Sequence, residues 1–161
     1  MIRKKIVMNT MISGVTIKKI ITHVDDSGYL REVLRDDDAL LTKFGQSTVT
    51  SAHPGYIKAF HWHKKQDDLW YIAQGMAQVV LHDRRPDSPT HGQTQVIYAG
   101  DQNAVLIMIT AGVAHGYRVL GNTPVLLFYH TTESYNAASP DEERIAYDDP
   151  TIGFDWTTKF E

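Results

Sequence analysis

His61 and His63 stand two apart in the strand-forming stretch "GYIKAFHWHKKQDDLWYIAQG", Gly55 to Gly75. Side chains at i and i+2 of a strand leave on the same face, so both imidazoles enter one space while Trp62 points the other way. A polar turn, Lys64 to Asp67, follows, and Asp68 opens a second apolar run, Leu69 to Ala73, that ends at Gly75. Two imidazoles and a carboxylate meeting from adjacent strands suit a divalent transition metal. The same groups suit a general base held in place by a partner. Residue types alone leave both chemistries open.

In the metal reading His61, His63 and Asp68 are joined by His115, which follows "TAG" at a strand end. Imidazole nitrogens with one carboxylate accept Zn, Fe, Ni, Mn or Cu. The plain alternative is that these histidines hydrogen-bond within a polar interior, which is the default for a lone His and less so for a His-x-His pair with an acid and a distant third His. In the acid–base reading a carboxylate must fix the tautomer of the basic imidazole, and Asp148 and Asp149 in the tail are the candidates. Tyr129, in "LLFYHTT", delivers a proton from the opposite side if it lines the cavity; otherwise it is a strand tyrosine with its hydroxyl at the surface. Trp62 and Trp70 read as core or interface residues, and Asp36 to Asp38 as a solvated helix start.

The elements that must position these groups are short strands between turns. Val15 to His23, Tyr29 to Leu34, Phe44 to Ser51, the His run, Leu69 to Ala73 and Met76 to Asp83 have strand character. Gln95 to Tyr98, Ala104 to Ile109, Tyr117 to Leu120 and Pro124 to Thr131 follow. "DDSG", "AHPG", "AGD", "TAGVAHG" and "LGNTP" punctuate them, and "RRPDSPTHGQ" is a loop. "RDDDALL" suits a short helix, as does the turn from Ser139 to Arg144. Turn signals every 8–12 residues or so predict an antiparallel sandwich or barrel and not βαβ units. Trp156 and Phe154 near the C-terminus predict a tail folded back on the body.

Composition bounds the function. With 161 residues, 42% hydrophobic and 22% charged, the chain is expected to form one domain over residues 15–161, preceded by a flexible tail, 1–14. A net charge of −3 gives no electrostatic reason for a nucleic acid or an anionic membrane as partner. Without cysteine there is neither a disulfide nor a thiolate metal site, and with no leader-like or spanning segment a cytoplasmic protein is expected.

Gly55 to Gly75 resembles the first cupin signature, with Asp68 where that pattern has Glu, and "TAGVAHG" resembles the second, with Thr110 in place of Pro and His115 as its His. More specifically the chain is similar to the dTDP-4-dehydrorhamnose 3,5-epimerase family of cupins. "DDSGYLRE", "SPTHGQ", "AHGYRVL" and "SPDEERIAYDDPTIGFDW" carry the likeness, over residues 15 to 156. It implies an all-β cupin jelly-roll sandwich or barrel with short peripheral helices, a homodimer, a nucleotide-linked 4-keto-6-deoxy sugar as substrate, and no cofactor. By position it makes His61 the base, Asp149 its carboxylate partner and Tyr129 the general acid. Glu32, Lys58 and His115 fall at substrate-binding places, Lys58 where the family has an Arg on the diphosphate. The chain departs from the family at His63, where the family has Gln, at Asp68, near the place of a cavity Lys, and at Ser27, where Arg is expected. These departures sustain two alternatives: one divalent transition metal (Zn, Fe, Ni or Mn) held by His61, His63, Asp68 and His115 in an enzyme for a small polar substrate, or a non-catalytic sugar-nucleotide binder. A metal on His61 would remove it as a free base, since one lone pair cannot do both.

Overall fold

Runs rich in Val, Ile, Thr and aromatic residues, cut by Gly- and Pro-bearing turns, form short strands that pair antiparallel throughout. The computed structural model describes residues 7–8, in backbone only, and 11–157. In chain order the strands are β1 (Val7–Met8), β2 (Thr16–Lys19), β3 (Thr22–Asp25), β4 (Gly28–Arg31), β5 (Gln46–Ala52), β6 (Ile57–His63), β7 (Asp68–Gln74), β8 (Met76–Asp83), β9 (Thr94–Gly100), β10 (Val105–Ile109), β11 (Val113–Leu120), β12 (Val125–Thr131) and β13 (Glu142–Arg144). One sheet has the order β1-β2-β10-β7-β12-β5, the other β13-β6-β11-β8-β9, and β3-β4 is a separate hairpin. This is the expected all-β jelly roll.

The inner faces of the two sheets meet in an apolar core that includes Ile17, Ile72, Val79, Leu81, Ile107 and Leu127. Burial of such a side chain stabilises by about 1.5–3 kcal/mol, which is what holds the sheets together. The tail folds back as expected. Trp156 packs on Phe60 with ring centroids 5.5 Å apart, and its indole N–H donates to the Tyr147 carbonyl at 2.8 Å. With Val80, Ala114 and Ile145 these rings cover the outer face of β6.

Several local expectations need correction. Val15 to His23 is two strands, β2 in the sheet beside β10 and β3 in the hairpin with β4, with the buried Ile20 between them. The helix expected at "RDDDALL" is a single 3-10 turn, Asp36–Asp38. Asp38 is not solvated there: it is buried, ion-paired with Lys18, and accepts the Arg35 backbone N–H at 2.9 Å. Instead of a helical turn, Glu142–Arg144 forms β13, which pairs with the edge of β6. Of the expected tail, residues 1–6 and 9–10 lie outside the described residues; Val7–Met8 pairs with β2, and Ile12 is buried in the core.

Candidate active site

β6 and β11 bring the imidazoles together. His61 lies opposite His115 in their antiparallel register, so the two share the inner face, and His63 follows two residues later. Close approach of these strands depends on Gly116: a Cβ there would lie 2.3 Å from the Ala59 Cβ. From the facing sheet come Asp68 and Trp70 of β7 and Tyr129 of β12, with Tyr129 opposite Trp70 on one side and Thr48 of β5 on the other. β13 adds Glu142, opposite His63. The Asp141 carboxylate fixes this edge by accepting the backbone N–H groups of Lys64, Lys65 and Gln66 at 3.1, 2.9 and 3.0 Å.

A cavity of about 620 Å³ opens at this end of the sandwich, walled by Thr48, His63, Gln66, Tyr129 and Glu142 among others. Glu142 reaches from this wall to His61, with Oε1 3.1 Å from Nδ1. Burial alone would raise the pKa of Glu142, but the His61 imidazole and Arg144 beside it bring it below the usual carboxylate value. Glu142 therefore stays ionised at neutral pH and holds a proton on Nδ1, leaving Nε2 as the basic atom. Across the cavity Tyr129 is half-buried, and desolvation raises its pKa, so its hydroxyl keeps its proton.

Deeper in the fold, His63 and His115 stack with centroids 5.4 Å apart. Their Nε2 atoms lie 3.7 and 3.6 Å from the two oxygens of Asp68. Asp68 accepts hydrogen bonds from Gln66 Nε2 at 2.7 Å and from Trp70 Nε1 at 3.1 Å. Burial lowers the pKa of His115 to about 4, against the pull of Asp68, so this imidazole is neutral at neutral pH. Tyr117, two residues along β11, has a buried hydroxyl with no hydrogen-bond partner and sits edge-on to Trp70.

The structure thus gathers His61, His63, Asp68, His115 and Tyr129 into one region. It does not bring Asp149 to His61. Beyond Ile145 the chain leaves β6 and turns, and the Asp149 carboxylate caps that turn by accepting from the backbone N–H and hydroxyl of Thr151 at 2.8 and 2.5 Å. Asp148 is exposed. The four-ligand metal set also divides: ligand atoms of His63, Asp68 and His115 lie within 4.8 Å of one another, while His61 is taken by Glu142. Lys58 donates to Thr50 Oγ1 at 3.0 Å and to the Ser51 carbonyl at 2.6 Å on the β5 side, and Glu32 is exposed and paired with Arg35 at 3.0 Å. Residue reasoning missed Glu142, Gln66, Trp70 and Tyr117 as members of the site. Trp70 and Tyr117 had a signal in period two, since they share faces with Asp68 and His115. Glu142 had none, because a three-residue polar strand shows no alternation.

The chain matches known proteins along nearly its whole length. The family model described as dTDP-4-dehydrorhamnose 3,5-epimerase matches residues 9–161. The spore coat polysaccharide biosynthesis protein SpsL of Bacillus subtilis is 56% identical over 150 residues, covering 93% of this chain and 99% of that protein. Among solved structures, a dTDP sugar isomerase from Desulfovibrio desulfuricans G20 superposes with a TM-score of 0.86 at 27% identity, over 92% of this chain and 94% of that one. The dTDP-6-deoxy-D-glucose-3,5-epimerase RmlC of Legionella pneumophila, in complex with dTDP-4-keto-L-rhamnose, gives 0.83 at 27% identity, over 93% and 82%.

Proposed function

The chain belongs to the dTDP-4-dehydrorhamnose 3,5-epimerase family, and from that premise we propose that it is an isomerase that inverts carbons flanking the ketone of a dTDP-linked 4-keto-6-deoxy sugar. His61 Nε2 removes a proton α to the ketone, and Tyr129 returns one from the opposite face of the resulting enolate. The observation that carries this reading is the His61–Glu142 contact at 3.1 Å, with Glu142 and Tyr129 both lining the cavity next to it. An ionised Glu142 stabilises the imidazolium that forms on proton abstraction. A phenol whose pKa is raised by desolvation is protonated when it is needed as donor. In this assignment Glu142, and not Asp149, is the partner of the base.

The proton transfers are within the means of these side chains and call for no organic cofactor. Substrate contacts by Lys58 and Glu32 remain part of the reading, with Lys58, a cation on β6, suited to the diphosphate; His115, buried with its ring nitrogens on the Val113 carbonyl and toward Asp68, is not a substrate contact in this reading. A homodimer goes with it, supported by the β3–β4 hairpin, which presents exposed Val24, Tyr29 and Leu30. So does a cytoplasmic setting, where nucleotide sugars for polysaccharides are made. No helix among the described residues is long and apolar enough to cross a membrane.

Incubation with dTDP-4-keto-6-deoxyglucose in D2O, followed by proton NMR, tests the function. Loss of the signals of the hydrogens α to the ketone, faster than in buffer, is the expected result. Retention of those signals at high enzyme concentration would rule the reading out.

A further inference from the structure

The proton transfers leave one buried cluster unexplained. His63, Asp68 and His115 are 6%, 3% and 2% exposed, and one potential ligand atom from each lies within 4.8 Å of the others. The tautomers follow from the partners. His63 Nδ1 is 3.1 Å from the Asp141 carbonyl, and His115 Nδ1 is 3.0 Å from the Val113 carbonyl. A carbonyl only accepts, so each Nδ1 carries a proton, and Nε2 is the atom of each ring that can offer a lone pair. Both Nε2 atoms face Asp68, at 3.7 and 3.6 Å, too far for a hydrogen bond.

Three Lewis bases thus converge on a buried point. The rings are held from behind, as metal ligands would be, by backbone carbonyls, and Asp68 accepts from the indole N–H of Trp70. We propose that His63, Asp68 and His115 bind one divalent transition-metal ion, with His61 outside its coordination sphere. Two imidazole nitrogens with one carboxylate favour Zn, Fe, Co, Ni or Mn over Ca or Mg, which want oxygen alone. Gln66, whose amide nitrogen is also 3.3 Å from His63 Nε2, covers the side that faces the cavity. An ion bound here would displace the Gln66 amide from His63 Nε2 and Asp68 Oδ1, and with that side then open it would polarise the ketone as a Lewis acid, a role that rests on the epimerase reading. Because His61 belongs to Glu142, a metal here and a free base there coexist, and the conflict expected from a four-ligand site disappears.

The experiment is metal binding by the untagged full-length chain, stripped with chelator and titrated with Co2+ while d–d absorption is recorded, with metal content measured after desalting. The expected result is about one ion per chain, with affinity about 100-fold weaker or lost in Asp68→Asn and unchanged in His61→Asn. Should Asp68→Asn fail to fold, His63→Gln takes its place, with the same loss expected. Substoichiometric Co2+ in the wild-type chain, or equal binding by wild type and the cage variants, would overturn the proposal. The two readings fail separately. Metal bound without exchange of sugar protons leaves the cage and removes the epimerase; exchange in a chain that binds no ion does the reverse.

Discussion

At the scale of single residues, the site shows what a partner does to a side chain. Tyr117 has a hydroxyl buried without a hydrogen-bond partner, a desolvation cost with no return, and burial raises its pKa to about 12. Replacing it by Phe keeps the ring against Trp70 and removes the orphan. Tyr117→Phe should therefore raise stability by about 1 kcal/mol in denaturant unfolding; a loss of stability would mean that the hydroxyl has a partner in solution. Glu142 is the opposite case. Its folded pKa is depressed, so the stability it contributes is full above the ordinary glutamate range and disappears as pH falls through its folded value. In Glu142→Gln that acid-limb contribution should be missing from the pH–stability curve, and turnover should fall about 10-fold or more as His61 loses the charge that supports its imidazolium. The histidines, Asp68 and Tyr129 were legible from period two and from resemblance. Asp149 was not placed by it correctly against His61, because position in an aligned motif says nothing about which way a turn carries the carboxylate.

At the scale of elements, the critical pair is β6 against β11. Gly116 has ordinary backbone freedom to spare but no room: a methyl would meet Ala59 Cβ at 2.3 Å, Ala59 Cα at 2.7 Å and the Lys58 carbonyl at 2.9 Å. Gly116→Ala must push the strands apart, at a cost of about 1–3 kcal/mol, and with them His61 from His115. A lowered melting temperature together with reduced turnover is expected; wild-type values in both would show that the strands part without consequence. The bounds of β8 were read correctly from alternation, but the strand is buried on both faces and not half-buried, because the cluster around Phe60 and Trp156 covers Val80 on its outer face. β13 escaped because it is polar throughout and is specified by its partner strand and by the grip of Asp141 on the 64–66 turn, information that lies 75–77 residues away.

At the scale of the whole molecule, two sheets make a cleft that neither holds alone. His61, His63, His115 and Glu142 come from one sheet, and Asp68, Trp70 and Tyr129 from the other. The C-terminal segment supports this from outside by packing Trp156 on Phe60, the residue before His61. Trp156→Ala should cost about 3–5 kcal/mol by calorimetry or denaturant unfolding, a loss too large for a surface ring. A cost under about 1 kcal/mol would detach the tail from the account. The jelly roll itself was readable in turn spacing and composition. The sharing of the site between sheets was not, because it depends on strand order. The most direct test of the central claim, that a His61–Glu142 pair is the base, is the rate of deuterium entry from solvent α to the ketone of dTDP-4-keto-6-deoxyglucose, compared across His61→Asn, Glu142→Gln and Asp149→Asn. Abolition in the first, a marked reduction in the second and a near-wild-type rate in the third are predicted; exchange that survives in Glu142→Gln but vanishes in Asp149→Asn would contradict it.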